Sequence, residues 1–257
     1  MTDRGIGQAP FEGFSREAID FLARLAANND RAWFAPRKVE YERLVKQPLE
    51  ALCTTLAERF RARGLPLVSD PTRSPFRIYR DVRFSRDKSP YRPYASASFP
   101  WAGEGAGAPG GRLAEAGAGT MSVRDAHRAL GRSGGAGYFH LGPGDVYLGG
   151  GMWHPGAPVL RAWRALVSDE PDTVHAALDD PVFVDAFSGL DGDRLSRVPA
   201  GFRPDHPDAD LLRLKDLTFG RRLSDADALS PGLPDLIADL LVAALPFFRL
   251  LATLEPR

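Results

Sequence analysis

The segment that decides the predicted fold is Ser74 to Phe99, which reads SPFRIYRDVRFSRDKSPYRPYASASF. In the first half of this segment, apolar side chains occupy alternate positions. They are Phe76, Ile78, Val82 and Phe84. A period of two is typical of a strand with one buried face, so we predict a strand here. Residues 94–101 alternate in the same way, and we predict a second strand there.

Arg80 falls on the apolar side of the first predicted strand. A guanidinium keeps its charge at any ordinary pH, and burying an unpaired charge is costly. We therefore expect an acceptor for Arg80, either within the chain or on a bound anion. The acceptors considered within the chain are the carboxylates of Glu17, Asp20 and Glu40 and the backbone carbonyls of the loop at Gly149.

The same segment carries a local excess of positive charge. Residues 74–92 hold six cationic and two anionic side chains, a net charge of +4, in a chain whose formal net charge is zero. Arginine offers a planar fork to phosphate or carboxylate, and lysine adds a point charge. We predict a pocket for a small anionic ligand, such as a phosphorylated one. Its predicted residues are Arg77, Arg80, Arg83, Lys88 and Tyr91.

Asp81 is a catalytic candidate in this pocket, as a base or as the group that orients a guanidinium. An alternative interpretation is a solvated strand face on which Asp81 and Asp87 pair with their neighbours. A third is a nucleic-acid-binding surface, with the arginines on phosphates and Tyr79 and Tyr91 stacking on bases. The neutral net charge weighs against nucleic acid. A fourth is a protein-interaction module in which the glycine- and alanine-rich segment Gly103 to Gly137 is a mobile arm.

A second candidate site is the run Gly149 to Pro155, which reads GGGMWHP. Glycines between a strand and a helix let backbone N–H groups approach a ligand, so Gly150, Gly151 and Trp153 are predicted ligand contacts. The alternative is a tight turn or bulge that allows Trp153 to pack. The run is neither a Walker loop nor a dinucleotide fingerprint, so it indicates no particular cofactor.

Three other features contain residue types that are used in catalysis or metal binding. His140, in a predicted strand, is a candidate general base or proton donor, although a structural histidine fits the position as well. The acidic residues around His206 suit a helix N-terminus better than a metal, so we predict no metal site. Cys53 lies between Leu52 and Leu56 of a predicted helix and is expected to be a buried small side chain.

Helices are predicted before and after the strands, which favours a single α+β domain over residues 1–257 with a mainly antiparallel sheet. The chain is expected to form a hairpin at residues 138–150 and to close with a helix at 233–254, capped by Ser230 and kinked at Pro246. The segment Gly103 to Gly137 is rich in glycine and alanine and is predicted to be a flexible surface insertion.

Composition favours a cytoplasmic protein. A single cysteine excludes an internal disulfide and fits a reducing compartment. The N-terminal residues MTDRGIGQ contain no apolar signal core. The most apolar window, Leu236 to Leu251, is too short to cross a membrane and contains charged residues. We therefore expect no membrane association, and the sequence indicates no particular oligomeric state.

Several motifs together resemble the bacterial and fungal family DUF2461. The first are Phe11-x-Gly13-Phe14, Asn28-Asn29-Asp30-x-x-Trp33-Phe34 and Arg77-Ile78-x-Arg80-Asp81-x-Arg83-Phe84-Ser85-x-Asp87-Lys88-x-Pro90-Tyr91. The later ones are Gly149-Gly150-Gly151-x-Trp153-x-Pro155, Pro199-x-Gly201-Phe202 and His206-Pro207. The resemblance spans nearly the whole chain, apart from the glycine- and alanine-rich insertion. It implies one cytoplasmic domain and supports these motifs as the ones to examine, but it implies no activity.

Overall fold

The structure, a computed structural model, describes residues 10–83, 85–103 and 135–254. At its centre is a four-stranded antiparallel sheet in which the strands lie in chain order. The strands are β1 (Ala95–Pro100), β2 (Ala136–Gly142), β3 (Asp145–Met152) and β4 (Leu217–Leu223). Helices come before, between and after these strands. The predicted α+β class with an antiparallel sheet is confirmed.

The helices fall into three groups along the described chain. Before the sheet are α1 (Arg16–Ala27), α2 (Arg31–Phe34), α3 (Lys38–Tyr41) and α4 (Gln47–Ala62). Between β3 and β4 are α5 (Ala157–Asp169), α6 (Pro171–Leu178), α7 (Pro181–Phe187) and α8 (Ala209–Leu212). After β4 are α9 (Asp225–Leu229), α10 (Leu233–Ala243) and α11 (Leu245–Thr253).

Two N-terminal helices begin after serine or aspartate, residue types that favour the N-cap position. The Ser15 side chain accepts a hydrogen bond from the backbone N–H of Ala18 at the start of α1. The Asp30 side chain accepts one from the N–H of Trp33 at the start of α2. Each oxygen satisfies a donor that the first helical turn leaves without a partner. Gly64, with φ at +63°, follows the end of α4.

One face of the sheet packs against helices and is apolar. Phe139 on β2 stacks on Phe14, which precedes α1, with ring centroids 6.1 Å apart. Phe99 on β1 meets Phe60 of α4 edge-on at 5.5 Å. Phe219 on β4 likewise meets a ring of α11. These contacts bury the aromatic core, in which a fully buried ring contributes several kcal/mol.

The opposite face of the sheet, which we call the polar face, carries hydroxyl, imidazole and guanidinium groups. The antiparallel register places Ser96, His140, Tyr147 and Arg222 in one row across the four strands. A neighbouring row consists of Ser98, Tyr138, Gly149 and Gly220. Antiparallel sheets often leave one face without helices, and here that face is where polar chemistry can collect.

The prediction of a regular strand at residues 74–84 was wrong. The segment is extended, and it pairs with the chain that follows it only through isolated bridges, between Pro75 and Ala97 and between Tyr79 and Tyr91. The alternation itself is visible in the described residues: Ile78 is buried, whereas Arg77 and Tyr79 are exposed. Phe84 lies outside the described residues.

Prolines explain why no continuous ladder forms here. Pro75, Pro90 and Pro93 each lack a backbone N–H, so they cannot donate to a ladder. The register also shifts by two residues between the two bridges, from a pairing of Pro75 with Ala97 to one of Tyr79 with Tyr91. The outcome is an extended segment that lies along β1 and folds back at residues 81–89.

The predicted β2–β3 hairpin and the predicted kink in the closing helix are both confirmed. Gly142 pairs with Asp145, which leaves Pro143 and Gly144 as the turn, with φ of Gly144 at +66°. The closing helix is divided into α10 and α11, which meet at 52° immediately before Pro246. The cap of α10 is Gly232 and not Ser230 as predicted; Ser230 Oγ instead accepts from the N–H of Gly232.

Two elements were not predicted. Strand β4 pairs with β3 from Val146 to Met152, and α9 begins with a reciprocal cap between Ser224 and Asp227.

Strand β2 begins at Ala136, so the predicted insertion ends earlier than Gly137, and its residues 104–134 lie outside the described residues. Within the described chain no single helix is long and apolar enough to cross a membrane, although the bent pair of α10 and α11 passes by length and composition.

Candidate functional site

A cavity of about 620 Å³ lies where β3 ends beside β4. Three carboxylates line it, from Asp191, Asp193 and Asp216. The rest of its lining includes Ser98, Tyr138, Tyr147, Gly150, Gly151, Trp153, His154 and Thr218. A concave site with a few convergent polar groups beside aromatic rings has the form of a small-molecule site.

Asp216 is the most buried carboxylate of the cavity lining, and it pairs with the exposed His154. Asp216 Oδ1 lies 2.6 Å from both the backbone N and the Nδ1 of His154, and the Asp216 side chain is only 4% exposed. The pairing of Leu217 with Met152 in the β3–β4 ladder brings these residues together. An ionised carboxylate only accepts hydrogen bonds, so Nδ1 carries the proton and the pair fixes the tautomer of His154.

The backbone at His154 is unusual. Its φ is +51°, in the left-handed region that non-glycine residues seldom adopt. The two hydrogen bonds to Asp216 hold the residue there. Such backbone conformations are found disproportionately at functional sites, where the surrounding structure compensates for their cost.

Trp153 forms the rim of the cavity beside His154. The two rings stack with centroids 3.8 Å apart and an interplanar angle of 14°. The Trp153 side chain is not buried by this contact, because the residue remains 48% exposed. An exposed indole held flat by a neighbouring ring offers a platform for a ligand.

Asp191 is a second carboxylate of the cavity lining whose hydrogen-bond partners the structure shows. Its carboxylate accepts from Tyr147 Oη at 3.1 Å and from Thr218 Oγ1 at 2.9 Å. Burial raises the pKa of Tyr147 above its ordinary value, and the negative charge of Asp191 raises it further. Tyr147 therefore remains a protonated donor to Asp191 at neutral pH.

Glycines of β3 and β4 make room for these side chains. A Cβ at Gly220 would overlap the ring and hydroxyl of Tyr147, and one at Gly149 would lie 2.8 Å from Tyr147 Oη. The predicted placement of the glycine run between a strand and a helix was wrong. The run lies within an interior strand whose backbone pairs on both sides, so its N–H groups belong to the ladder. Gly150 and Gly151 nevertheless line the cavity.

The predicted basic residues lie away from this cavity and have partners of their own. Arg80 pairs with Asp87, a carboxylate not among its expected acceptors, and its side chain is 27% exposed. Arg83 donates from Nε and Nη2 to Asp81 at 3.0 and 2.8 Å. These hydrogen bonds lower the pKa of Asp81 to about 2, so the carboxylate is ionised and is a weak base at neutral pH.

Arg77, Lys88 and Tyr91 occupy three different environments. Arg77 is exposed, and Lys88 Nζ donates to the carbonyl of Val82 at 3.0 Å. Tyr91 is buried and packs on the ring of Phe34 at 4.2 Å. The structure therefore does not gather the five predicted residues into one pocket within the part of the chain that it describes, although all lie on one segment.

His140 lies on the polar face of the sheet and outside the cavity lining. Its Nδ1 is 3.3 Å from Tyr138 Oη, and its ring contacts that of Tyr94 at 4.4 Å. Burial lowers the pKa of His140, and the negative charge of Asp145 partly opposes that shift. The role of His140 as a proton carrier stays a prediction.

Metal ligands are not clustered in the described residues: no three histidine, cysteine or acidic side chains are placed to share an ion. In the Asp205–Asp210 segment, the acidic groups have separate partners. Asp208 accepts from His175 at 2.9 Å, Asp205 pairs with Arg203, and Asp210 pairs with Arg213. Cys53 is fully buried, and burial raises the pKa of its thiol.

The main groups of the cavity were missed at the sequence level. His154 is inside the predicted GGGMWHP run but was not singled out, and Asp191 and Asp216 were not noticed at all. The alternation of Leu217 and Phe219 would have predicted β4 and drawn attention to the acidic residue just before it. Nothing in the sequence links Asp216 to His154, because 62 residues separate them.

Comparisons with known proteins identify the family. No curated protein and no solved structure matches the chain significantly. A family model described as a conserved hypothetical protein, DUF2461, matches residues 17–249, which include the sheet, the cavity and the basic segment. The chain belongs to the DUF2461 family.

Proposed function

We propose that this protein binds a small molecule in the cavity between Trp153 and Asp191. The observation that carries the proposal is the pair of oriented carboxylates, Asp216 held by His154 and Asp191 held by Tyr147 and Thr218, in one cavity of about 620 Å³. Groups fixed by their own hydrogen bonds are pre-organised for a ligand.

The lining favours a ligand rich in hydrogen-bond donors. Carboxylates only accept, and three of them surround a cavity whose lining contains no lysine or arginine among the described residues. An anion would be repelled here. Hydroxyl or ammonium groups would instead complete the hydrogen bonding of the carboxylates, and a flat apolar side of the ligand would rest on Trp153.

His154 gives the site one group able to exchange a proton with such a ligand. Its Nδ1–H is engaged by Asp216, which leaves Nε2 of a ring that is 62% exposed. A histidine oriented by a buried carboxylate is the arrangement used in general base catalysis. Activity as an enzyme therefore stays open to test, as do the nucleic-acid and protein-interaction alternatives.

Two probe sets test the proposal: monosaccharides for hydroxyl-rich ligands and linear alkyl diamines for ammonium ligands. We expect at least one set to raise the unfolding temperature saturably and to change tryptophan fluorescence. Asp191→Asn should weaken the response about tenfold or more, because a charge-assisted hydrogen bond is lost. Trp153→Phe should remove most of the fluorescence change.

The matched control is Asp239→Asn, since Asp239 is an exposed carboxylate paired with Arg63 and not part of the cavity lining. It should respond to the probes as the unmodified protein does. The proposal is wrong if neither probe set binds, or if binding survives in Asp191→Asn and Trp153→Phe at full strength.

A further inference from the structure

Arg92 differs from the other cationic residues of its segment in being buried. The residue is 8% exposed and directly precedes Pro93, close to the start of β1. Its backbone N–H donates to the carbonyl of Ile78 at 2.7 Å, and its side-chain Nη1 donates to the carbonyl of Arg77 at 3.0 Å. The extended segment at residues 76–80 therefore holds Arg92 in place.

Among the residues that the structure describes, no carboxylate pairs with the guanidinium of Arg92. Within residues 10–83, 85–103 and 135–254, its one side-chain hydrogen bond is to a neutral carbonyl, which uses one of its five N–H donors. Arg80 and Arg83, by contrast, each pair with an aspartate. Burial lowers the pKa of Arg92 below its ordinary value, and the largest opposing effect comes from Tyr94.

The groups around Arg92 suit an anion. Its guanidinium carbon lies 5.9 Å from the centroid of the Phe76 ring, and that ring contacts Tyr138 with centroids 6.2 Å apart. Burial raises the pKa of Tyr138 to about 12, so its hydroxyl stays protonated at neutral pH. An anion beside Arg92 would meet one fixed cation and the phenolic groups of Tyr94 and Tyr138.

The geometry points to an anion-binding site centred on Arg92, at the edge of the polar face, for the phosphate or carboxylate group of a small molecule. A largely buried guanidinium with one neutral acceptor is costly, and an oxyanion that reaches its remaining N–H groups would offset that cost through charge-assisted, bidentate hydrogen bonds. Arg92 is not part of the cavity lining, although Tyr138 contributes to both places. The anion-binding site does not depend on the function proposed for the cavity.

Phosphate titration at constant ionic strength tests the site, with chloride as the reference anion and succinate as the carboxylate probe. We expect phosphate or succinate to raise the unfolding temperature saturably. In Arg92→Met this saturable rise should vanish, whereas the stability in anion-free buffer should be equal to or greater than that of the unmodified protein. Removing an unpaired buried charge does not destabilise the fold.

Two further variants separate this site from general effects of the anion. Arg77→Met removes an exposed neighbouring charge and should bind the anion as the unmodified protein does. Arg92→Lys keeps the charge but loses the planar fork, so affinity should fall about tenfold or more.

Three results would overturn the inference. One is the absence of saturable binding of phosphate and succinate to the unmodified protein, and another is undiminished binding by Arg92→Met. The third is failure of Arg92→Met to fold, which would make Arg92 a structural residue. Trp153→Phe should leave anion binding unchanged, so failure of the cavity proposal would not be mistaken for failure of this one.

Discussion

The cavity and the basic segment both pair carboxylates with basic groups, but they differ in burial. Asp216 is 4% exposed at its side chain, and its bond to His154 joins two distant parts of the chain. Asp81 and Asp87 are 35% and 58% exposed, and each pairs with an arginine only two or seven residues away. The first arrangement connects β3 to β4, whereas the second closes a surface loop.

This difference shows that the number of charges is a poor guide to a site. The basic segment has the larger charge excess, but Arg80 and Arg83, two of its arginines, are neutralised by local, solvent-screened pairs. The cavity has fewer charges, but its Asp216 side chain is shielded from water, and two hydrogen bonds from His154 fix the geometry of that carboxylate. Burial therefore distinguishes the two regions more sharply than composition does.

The largest effect is expected for Asp216→Ala. The change removes the acceptor of both the backbone N–H and the Nδ1–H of His154, which holds φ in the left-handed region. We expect a loss of about 2–4 kcal/mol in the free energy of unfolding, measured by urea titration. Asp193→Ala is the matched control, because its carboxylate is exposed and pairs with Lys215 at the surface. Equal losses in both variants would contradict the comparison.

An intermediate effect is expected for Gly220→Ala. The new methyl group would overlap the Tyr147 ring, which must move and release its hydrogen bond to Asp191. We expect a cost of about 1–3 kcal/mol, as in other overpacked sites. Tyr147→Ala removes the obstacle, so the double variant should be clearly more stable than the sum of the single losses predicts. Strict additivity in urea unfolding would count against this packing.

The smallest effect is expected in the basic segment, for Arg83→Gln. The Arg83 hydrogen bonds lower the pKa of Asp81 from its ordinary 3.8 to about 2. The associated stability is present above pH 3.8 and is lost as the pH falls through about 2. Arg83→Gln should return the pKa of Asp81 towards 3.8, measured by NMR titration of its carboxyl carbon, with only a small loss of stability in urea unfolding at pH 7, because solvent screens this pair.

The control for Arg83→Gln is Arg77→Gln. It removes another exposed arginine of the segment and should leave the pKa of Asp81 unchanged. If Arg83→Gln instead lowered stability as much as Asp216→Ala does, the exposed and buried pairs would be equivalent, and the distinction between the two regions would fail.

Local patterns predicted much of the fold. Side-chain caps at Ser15 and Asp30, the turn at Pro143-Gly144 and the kink before Pro246 depend on neighbouring residues, and all four are present. The alternation of residues 76–83 correctly predicted which side chains are exposed, but it did not predict a ladder. A ladder needs N–H donors from both partners, and the prolines in this region do not supply them.

The candidate site was predicted less well, for a related reason. Arg80 was expected to be the arginine in need of an acceptor, because its parity placed it on the apolar face. In the structure Asp87 lies against Arg80, and the buried arginine is Arg92, which is held by the backbone of Arg77 and Ile78. The odd or even position of a residue along a strand predicts which side it faces. Whether that side is buried depends on which other part of the chain packs against it.

The sequence by itself determined the α+β class, the family, the caps at Ser15 and Asp30 and the hairpin turn, since each depends on periodicity or on bonds between residues close in the chain. Only the tertiary structure decided which polar groups meet. The β3–β4 ladder brings Asp216 to His154 across 62 residues, and the extended segment at residues 76–80 encloses Arg92. Hydrogen bonds between distant residues follow from strand register and burial, and these depend on the whole chain at once.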